Sequence, residues 1–293
     1  MEIIGNILAT VVPVFAIMAM GFIYSRFKKL PVQQLTELLM WIFLPCLVLG
    51  SLGSQSIEPL ELLQIGAAAL IIMTGTGILG FLVFIKRPER RALLLSCMFM
   101  NSANMAFPLA LFAYGETGLS RQVVFYVAIH VLHVTLGVGL ARGRGGIKEV
   151  FRLPLIYAAA LAVGLALSGV KLPTEISTPL SLVGKATIPI MLILLGGRLA
   201  DARLAHIKLA TLSTIIRIGA GFGLGLFAVW LFGLTGFART AVLIGSVMPV
   251  AVLNFVLGEK YNLYPELLAT TVVLSTLVSI GTSPLALYFI GIG

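Results

Sequence analysis

Charge is the scarcest ingredient of this sequence. Only 11% of its 293 residues are Asp, Glu, Lys or Arg, while 59% are hydrophobic. An ordinary soluble domain carries roughly 25% charged residues, so composition excludes one and indicates a chain housed in lipid. Carboxylates are rarer still. No Asp or Glu falls deep inside an apolar run, and Glu37, Glu259 and Glu266 all stand near run ends. A buried carboxylate relay of the kind many proton pumps use therefore has no candidates. Cysteine is limited to Cys46 and Cys97, both inside apolar runs and in no CxxC or Cys/His cluster. They read as inert core thiols, and neither a metal nor another cofactor is expected. The net charge of +9 could suggest nucleic acid, but the basic residues lie in short connections without a basic, aromatic-interleaved stripe. Nucleic acid is excluded as a partner on that pattern.

What fills the chain is a succession of apolar runs. A membrane span needs about 20 such residues, and ten candidates occur, near 3–25, 34–53, 62–85, 91–113, 121–141, 151–168, 179–198, 208–233, 238–257 and 265–290. The first is preceded by Glu2 and followed by Arg26, Lys28 and Lys29. That polarity is wrong for a cleaved signal peptide, so the run counts as a span. Lys and Arg crowd into the odd-numbered connections, as in Lys86–Arg91 and Arg142–Arg152. The even-numbered ones hold only Arg121, Lys171, Lys185 and Arg239. This bias predicts a multi-pass protein of a cell membrane, bacterial inner membrane for example, with both termini outside the cytoplasm.

Ten spans divide into two five-helix repeats, 1–141 and 151–293, joined by a short cytoplasmic connection at 142–150. Weak internal similarity supports the division: Phe43–Leu52 and Thr187–Gly197 each place a proline before small and branched apolar residues. An odd number of spans per repeat inverts one against the other, a recurrent transporter design with its site at the midplane. Glycine runs such as Gly75–Gly80 and Gly219–Gly225 suit close helix packing in lipid and follow no strand that would make them a phosphate loop.

The fourth and ninth runs are interrupted. Ser96–Gly115 contains Asn101, Ser102, Asn104 and then Pro108; Gly245–Tyr261 contains Pro249 and Asn254. Proline removes a backbone donor and clashes with the preceding turn, and carbonyls so freed must find partners inside protein or a wet cavity. Paired interruptions point to a binding site. Half-helix N-termini can hold an anion there, with Asn101, Asn104 and Asn254 supplying donors and acceptors. The bland reading is that these asparagines only satisfy the freed backbone. Pro108 and Pro249 are expected to shape the site, whereas Pro45 and Pro189 read as simple kinks. His130 and His133 are candidates for proton coupling or for neutral, hydrogen-bonded histidines. Arg217 is a charge within a span: it guides an anion, snorkels to the cytoplasmic surface, or pairs with Asp201.

At these residues the chain resembles the auxin efflux carrier family, which includes plant PIN proteins and bacterial permeases. Asn101–Leu109 is similar to the family's Asn-containing segment ending in Pro-Leu, and Met248–Asn262 to its proline-initiated crossover. His130–Leu140 and Leu274–Leu287 resemble their counterparts in the fifth and tenth spans. The short connection at Ala141–Phe151 departs from the long cytoplasmic loop of many plant members, so loop regulation does not carry over and auxin is a doubtful substrate. The resemblance implies an all-α polytopic membrane protein with a scaffold and a transport domain, its broken helices crossing at Pro108 and Pro249. It also implies a small organic anion such as malate or malonate as substrate, the lipid bilayer as environment, and a homodimer through the scaffold domain. The function expected is secondary transport by alternating access. A cation/proton or bile-acid-type symporter or antiporter of related fold is the alternative, and a polytopic membrane enzyme the second. The enzyme is disfavoured because no paired acidic motif or nucleophile with its base occurs.

Overall fold

A chain surrounded by lipid has to satisfy its backbone internally, and here helices do so almost throughout. The computed structural model describes residues 2–53, 55, 57–143, 151–200 and 204–291. Most of the expected connection at 142–150 therefore lies outside the described residues. The helices among the described residues are α1 (Glu2–Phe27), α2 (Val32–Leu52), α3 (Pro59–Phe84), α4 (Arg90–Met98), α5 (Ala106–Arg142), α6 (Pro154–Ser168), α7 (Thr174–Ala200), α8 (Ile207–Phe232), α9 (Gly236–Ser246), α10 (Val252–Tyr261) and α11 (Pro265–Ile290). Seven of them, α1, α2, α3, α5, α7, α8 and α11, are long and apolar enough to cross a bilayer. The chain is thus an all-helical membrane protein.

Starts follow local chemistry. Pro59, Pro154 and Pro265 open α3, α6 and α11, where a missing N–H costs nothing and the fixed φ is already helical. The expected connection between the fourth and fifth spans, near 114–120, is instead a bend inside one helical stretch. Gly115 has φ 65° and ψ −161°, a backbone region essentially closed to other residues. The 37 residues of α5 would extend about 55 Å if straight, against roughly 30 Å of hydrocarbon. The bend divides them into two arms.

Two groups of helices emerge. In one, α1, α2, α6 and α7 pack on each other; the other helices gather around α4, α5, α9 and α10. The α1–α7 crossing is close because it is made of glycine: a Cβ on Gly196 would collide with the Met18 carbonyl, and one on Gly21 with the Ile193 carbonyl. Such small-residue contact is how helices associate where lipid offers no hydrophobic drive. Single π turns interrupt α2 at Leu39–Phe43, α5 at His133–Gly137 and α8 at Ile216–Ala220. Each widens its helix locally, as π-bulges do at functional sites. All three border the region between the two groups or the crossing described next.

Candidate functional site: a crossing of two broken helices

The interruptions fall where α4 gives way to α5 (residues 99–105) and α9 to α10 (residues 247–251). The two open strands pass antiparallel. The Asn101 N–H donates to the Pro249 carbonyl at 2.7 Å, the Ala251 N–H to the Phe99 carbonyl at 3.0 Å, and Met100 faces Val250 as a bridge pair. The Val250 N–H donates to Ser275 Oγ of α11 at 3.0 Å. The crossing is buried, with Phe99 and Val250 at 0% exposure. Non-helical backbone is tolerated at membrane depth only under such cover.

Pro249 lies in its break. Pro108 does not. It sits in the first turn of α5, past the break, so the expectation that the helices cross at Pro108 is corrected to a crossing at Phe99–Asn101. The N–H groups on either side of it keep their bonds, Phe107 to the Ala103 carbonyl at 3.1 Å and Leu109 to the Met105 carbonyl at 3.3 Å, so the missing donor costs one bond and does not open the chain. What opens the chain before it is the set of tertiary bonds that replace the helical ones.

Arg217 is the centre of those bonds. It is fully buried in the π turn of α8. One terminal nitrogen donates to the carbonyls of Cys97 (3.1 Å) and Met98 (3.4 Å) and to Thr76 Oγ1 (3.4 Å), and the other to the Ser246 carbonyl at 2.9 Å. Those carbonyls are the C-terminal ends of α4 and α9. A helix C-terminus carries roughly half a negative charge, and one planar fork of donors meets both. Gly221 makes room: a Cβ there would collide with the guanidinium and lie 2.6 Å from the Ser246 carbonyl. Arg217 therefore neither snorkels nor lines the cavity below, and Asp201 lies outside the described residues.

Asn254, also fully buried, is a second tie. Its amide donates to the Leu95 carbonyl at 2.9 Å and the Phe99 carbonyl at 3.4 Å, while its oxygen meets His133 Nε2 at 2.7 Å. With the amide turned to the two carbonyls, the hydrogen of that last bond is on His133 Nε2, the assignment the network requires. The His133 ring stacks on Phe99, 4.1 Å between centroids. Both ends of Asn254 are thus engaged with backbone and imidazole, as the bland reading of this residue has it.

With both C-termini neutralised, the other two helix ends remain. A cavity of about 120 Å³ lies between the two helix groups. Residues 100–104, leading into α5, and Ala251, Val252 and Leu253, opening α10, form one side. Thr36, Leu39, Met40 and Leu44 of α2 and Met191, Leu194, Leu195 and Arg198 of α7 form the other, with Tyr126, Ile129, His130 and His133 of α5 between. Asn101 lines it, is 5% exposed, and has an amide nitrogen with no partner, while its oxygen accepts the Asn104 N–H at 3.2 Å. Asn104 is half-buried on the lining. His130 lines it too, with Nε2 unpartnered. Of the asparagines expected at the site, the structure brings Asn101 and Asn104 to the cavity and sends Asn254 to the backbone behind it. Among the described residues no group of His, Cys, Asp and Glu is arranged to hold a metal.

Two lining residues escaped the sequence reading. Arg198, at the end of α7, looked like an ordinary cytoplasmic charge; its one signal was Gly196-Gly197 just before it, which lets α7 press against α1. Thr36 carried no signal at all. A wider cavity of about 730 Å³ shares Thr36, Arg198, Val252 and Val256 with the first and is rimmed by Glu37, Glu259 and Lys260.

Comparison with known proteins settles the class. A family model described as membrane transport protein matches residues 6–151 and 146–287. The chain belongs to that family, the auxin efflux carrier-like membrane transport proteins. It is 24% identical over 275 residues to an uncharacterized transporter of Methanocaldococcus jannaschii, covering 88% of this chain and 89% of the relative. An uncharacterized transporter of Methanothermobacter thermautotrophicus is 24% identical over 291 residues, covering 94% and 96%. A Rhizobium meliloti protein provisionally named a malonate transporter is 23% identical over a 322-residue alignment, covering 99% and 97%. This family member is a multi-pass membrane transport protein, not an enzyme.

Proposed function

We propose that the protein is a secondary transporter moving a small organic anion, of the malonate or malate kind, by alternating access. The observation that carries this is the polarity of the crossing. Arg217 cancels both negative helix ends, while the stretches entering α5 and α10 line a cavity beside the unpartnered Asn101 amide. Amide ends of helices favour a carboxylate without a buried lysine. The size of the cavity supports a small ion, since drug-sized ligands occupy about 300–1,000 Å³. That counts against a bile-acid-like occupant, and the absence of Asp and Glu from the lining among the described residues counts against a cation antiporter.

In this reading α4–α5 and α9–α10 each supply a broken crossing, the bend at Gly115 separates the fourth and fifth crossings, and α6 is a short sixth. Ten crossings result, in inverted halves 1–141 and 151–293, with both termini on the outer face. The α1–α2–α6–α7 group is the scaffold and the rest the moving domain. Asn101 and Asn104 contact substrate, Pro249 and Pro108 shape the approach, and His130 is the group placed to exchange a proton. Counterflow in proteoliposomes, with labelled mono- and dicarboxylates under imposed proton or sodium gradients, tests this directly. Asn101→Ala is expected to abolish exchange; unchanged kinetics would remove the residue from the site, and no carboxylate exchange by the wild type would end the anion reading.

A further inference from the structure

We propose that Arg198, held by Thr36, binds a second carboxylate, so that the cavity selects a short dicarboxylate over a monocarboxylate. This rests on the anion reading above and adds to it a specificity-determining residue.

The cavity has two polar poles with apolar wall between. One is the crossing, with the Asn101 amide buried and unpartnered. The other is Arg198, on the face of α7 that also presents Met191, Leu194 and Leu195 to the cavity. Met191 to Arg198 is seven residues, about 10 Å along a helix. The wall thus runs apolar for its first turn and a half and ends in a cation.

Arg198 is short of partners. Among the described residues its one hydrogen bond goes to Thr36 Oγ1 at 3.4 Å, long for a good N–H···O bond. No carboxylate lies within ion-pair distance of it among the described residues. Glu259 shares the wider adjoining cavity with it but not the small one. A guanidinium has five donors in a planar fork. One weak bond leaves most of them for a ligand, and a fork of this shape matches a carboxylate in bidentate fashion. Glu259 attracts Arg198 from the wider cavity without forming a contact ion pair, and an arriving dianion supplies a counter-ion at hydrogen-bond distance. The small cavity, at about 120 Å³, has room for a short diacid beside both poles.

The test is counterflow with the full chain in proteoliposomes, using labelled malonate and labelled propionate in parallel. The two acids have the same carbon count and differ by one carboxylate. The wild type is expected to show a half-saturation for malonate at least about tenfold below that for propionate. Arg198→Gln should raise the malonate value about 10- to 100-fold, the span of charge-assisted hydrogen bonds, and move the propionate value less than about threefold. Arg198→Lys should recover part of the malonate loss, since it keeps the charge and loses the fork. Thr36→Val, which leaves every charge in place, should shift malonate alone in the same direction. A parallel shift of both acids in Arg198→Gln, an unchanged malonate value, or a wild type that treats the acids alike overturns the proposal while leaving anion transport standing. A wild type that exchanges neither acid overturns the anion reading and this one with it.

Discussion

Replacing Arg217 with Met removes the guanidinium that joins the C-termini of α4 and α9, with little change in side-chain volume. Three buried carbonyls, those of Cys97, Met98 and Ser246, lose their donor. Each buried group left unsatisfied costs about 1–3 kcal/mol, giving a gross loss of about 3–9 kcal/mol. Against it stands relief from holding a cation out of water, which is several kcal/mol per ion. The carbonyls stay where they are, so the relief is incomplete, and the expected net destabilisation is about 2–4 kcal/mol. At roughly 2–4 °C per kcal/mol for a chain of this order, the melting temperature of the purified protein should fall by about 4–16 °C. Arg217→Lys should fall nearly as far, because a compact ammonium cannot reach both helix ends at once. Melting in detergent, alongside malonate affinity of the protein that remains folded, separates the roles. A variant that melts like the wild type but loses anion affinity tenfold would refute the clamp and return Arg217 to the substrate path.

Three other expectations follow from the same geometry. Asn254→Leu leaves His133 Nε2 without its partner while the Leu95 carbonyl keeps the Phe99 N–H, so it should destabilise by about 1–3 kcal/mol, read as a fall in melting temperature; an unchanged melt would mean the amide is dispensable. Gly115→Ala meets no atom within 4 Å of the new Cβ, so its cost is backbone strain alone, about 1–3 kcal/mol. Thermal melting within about 1 °C of the wild type would show that the bend does not need glycine. Glu116 and Lys185 pair at 3.3 Å beside a separate cavity of about 530 Å³, yet their side chains are 52% and 61% exposed. Glu116→Gln should therefore change stability by less than about 1 kcal/mol, and a larger drop would mark the pair as a latch.

The lipid environment, the long helices and the two interruptions were determined by the sequence itself. Run length and hydropathy report the solvent a segment prefers, and that is a local property of each run. Asn101 was legible for the same reason, as a polar group in the midst of an apolar run. The exact place of the first break was not. Pro108 signals that something yields nearby, but residues 99–105 are non-helical because Pro249, Ala251, Asn254 and Arg217 bond to Leu95–Asn101, the side-chain bonds among these reaching across 119 to 159 positions of sequence. Tertiary structure alone assigned Arg217 to two helix ends, took Asn254 out of the cavity and brought Arg198 into it. A side chain's chemistry is written in its identity, but whether it is used on backbone or left open to a ligand depends on which distant atoms fold against it.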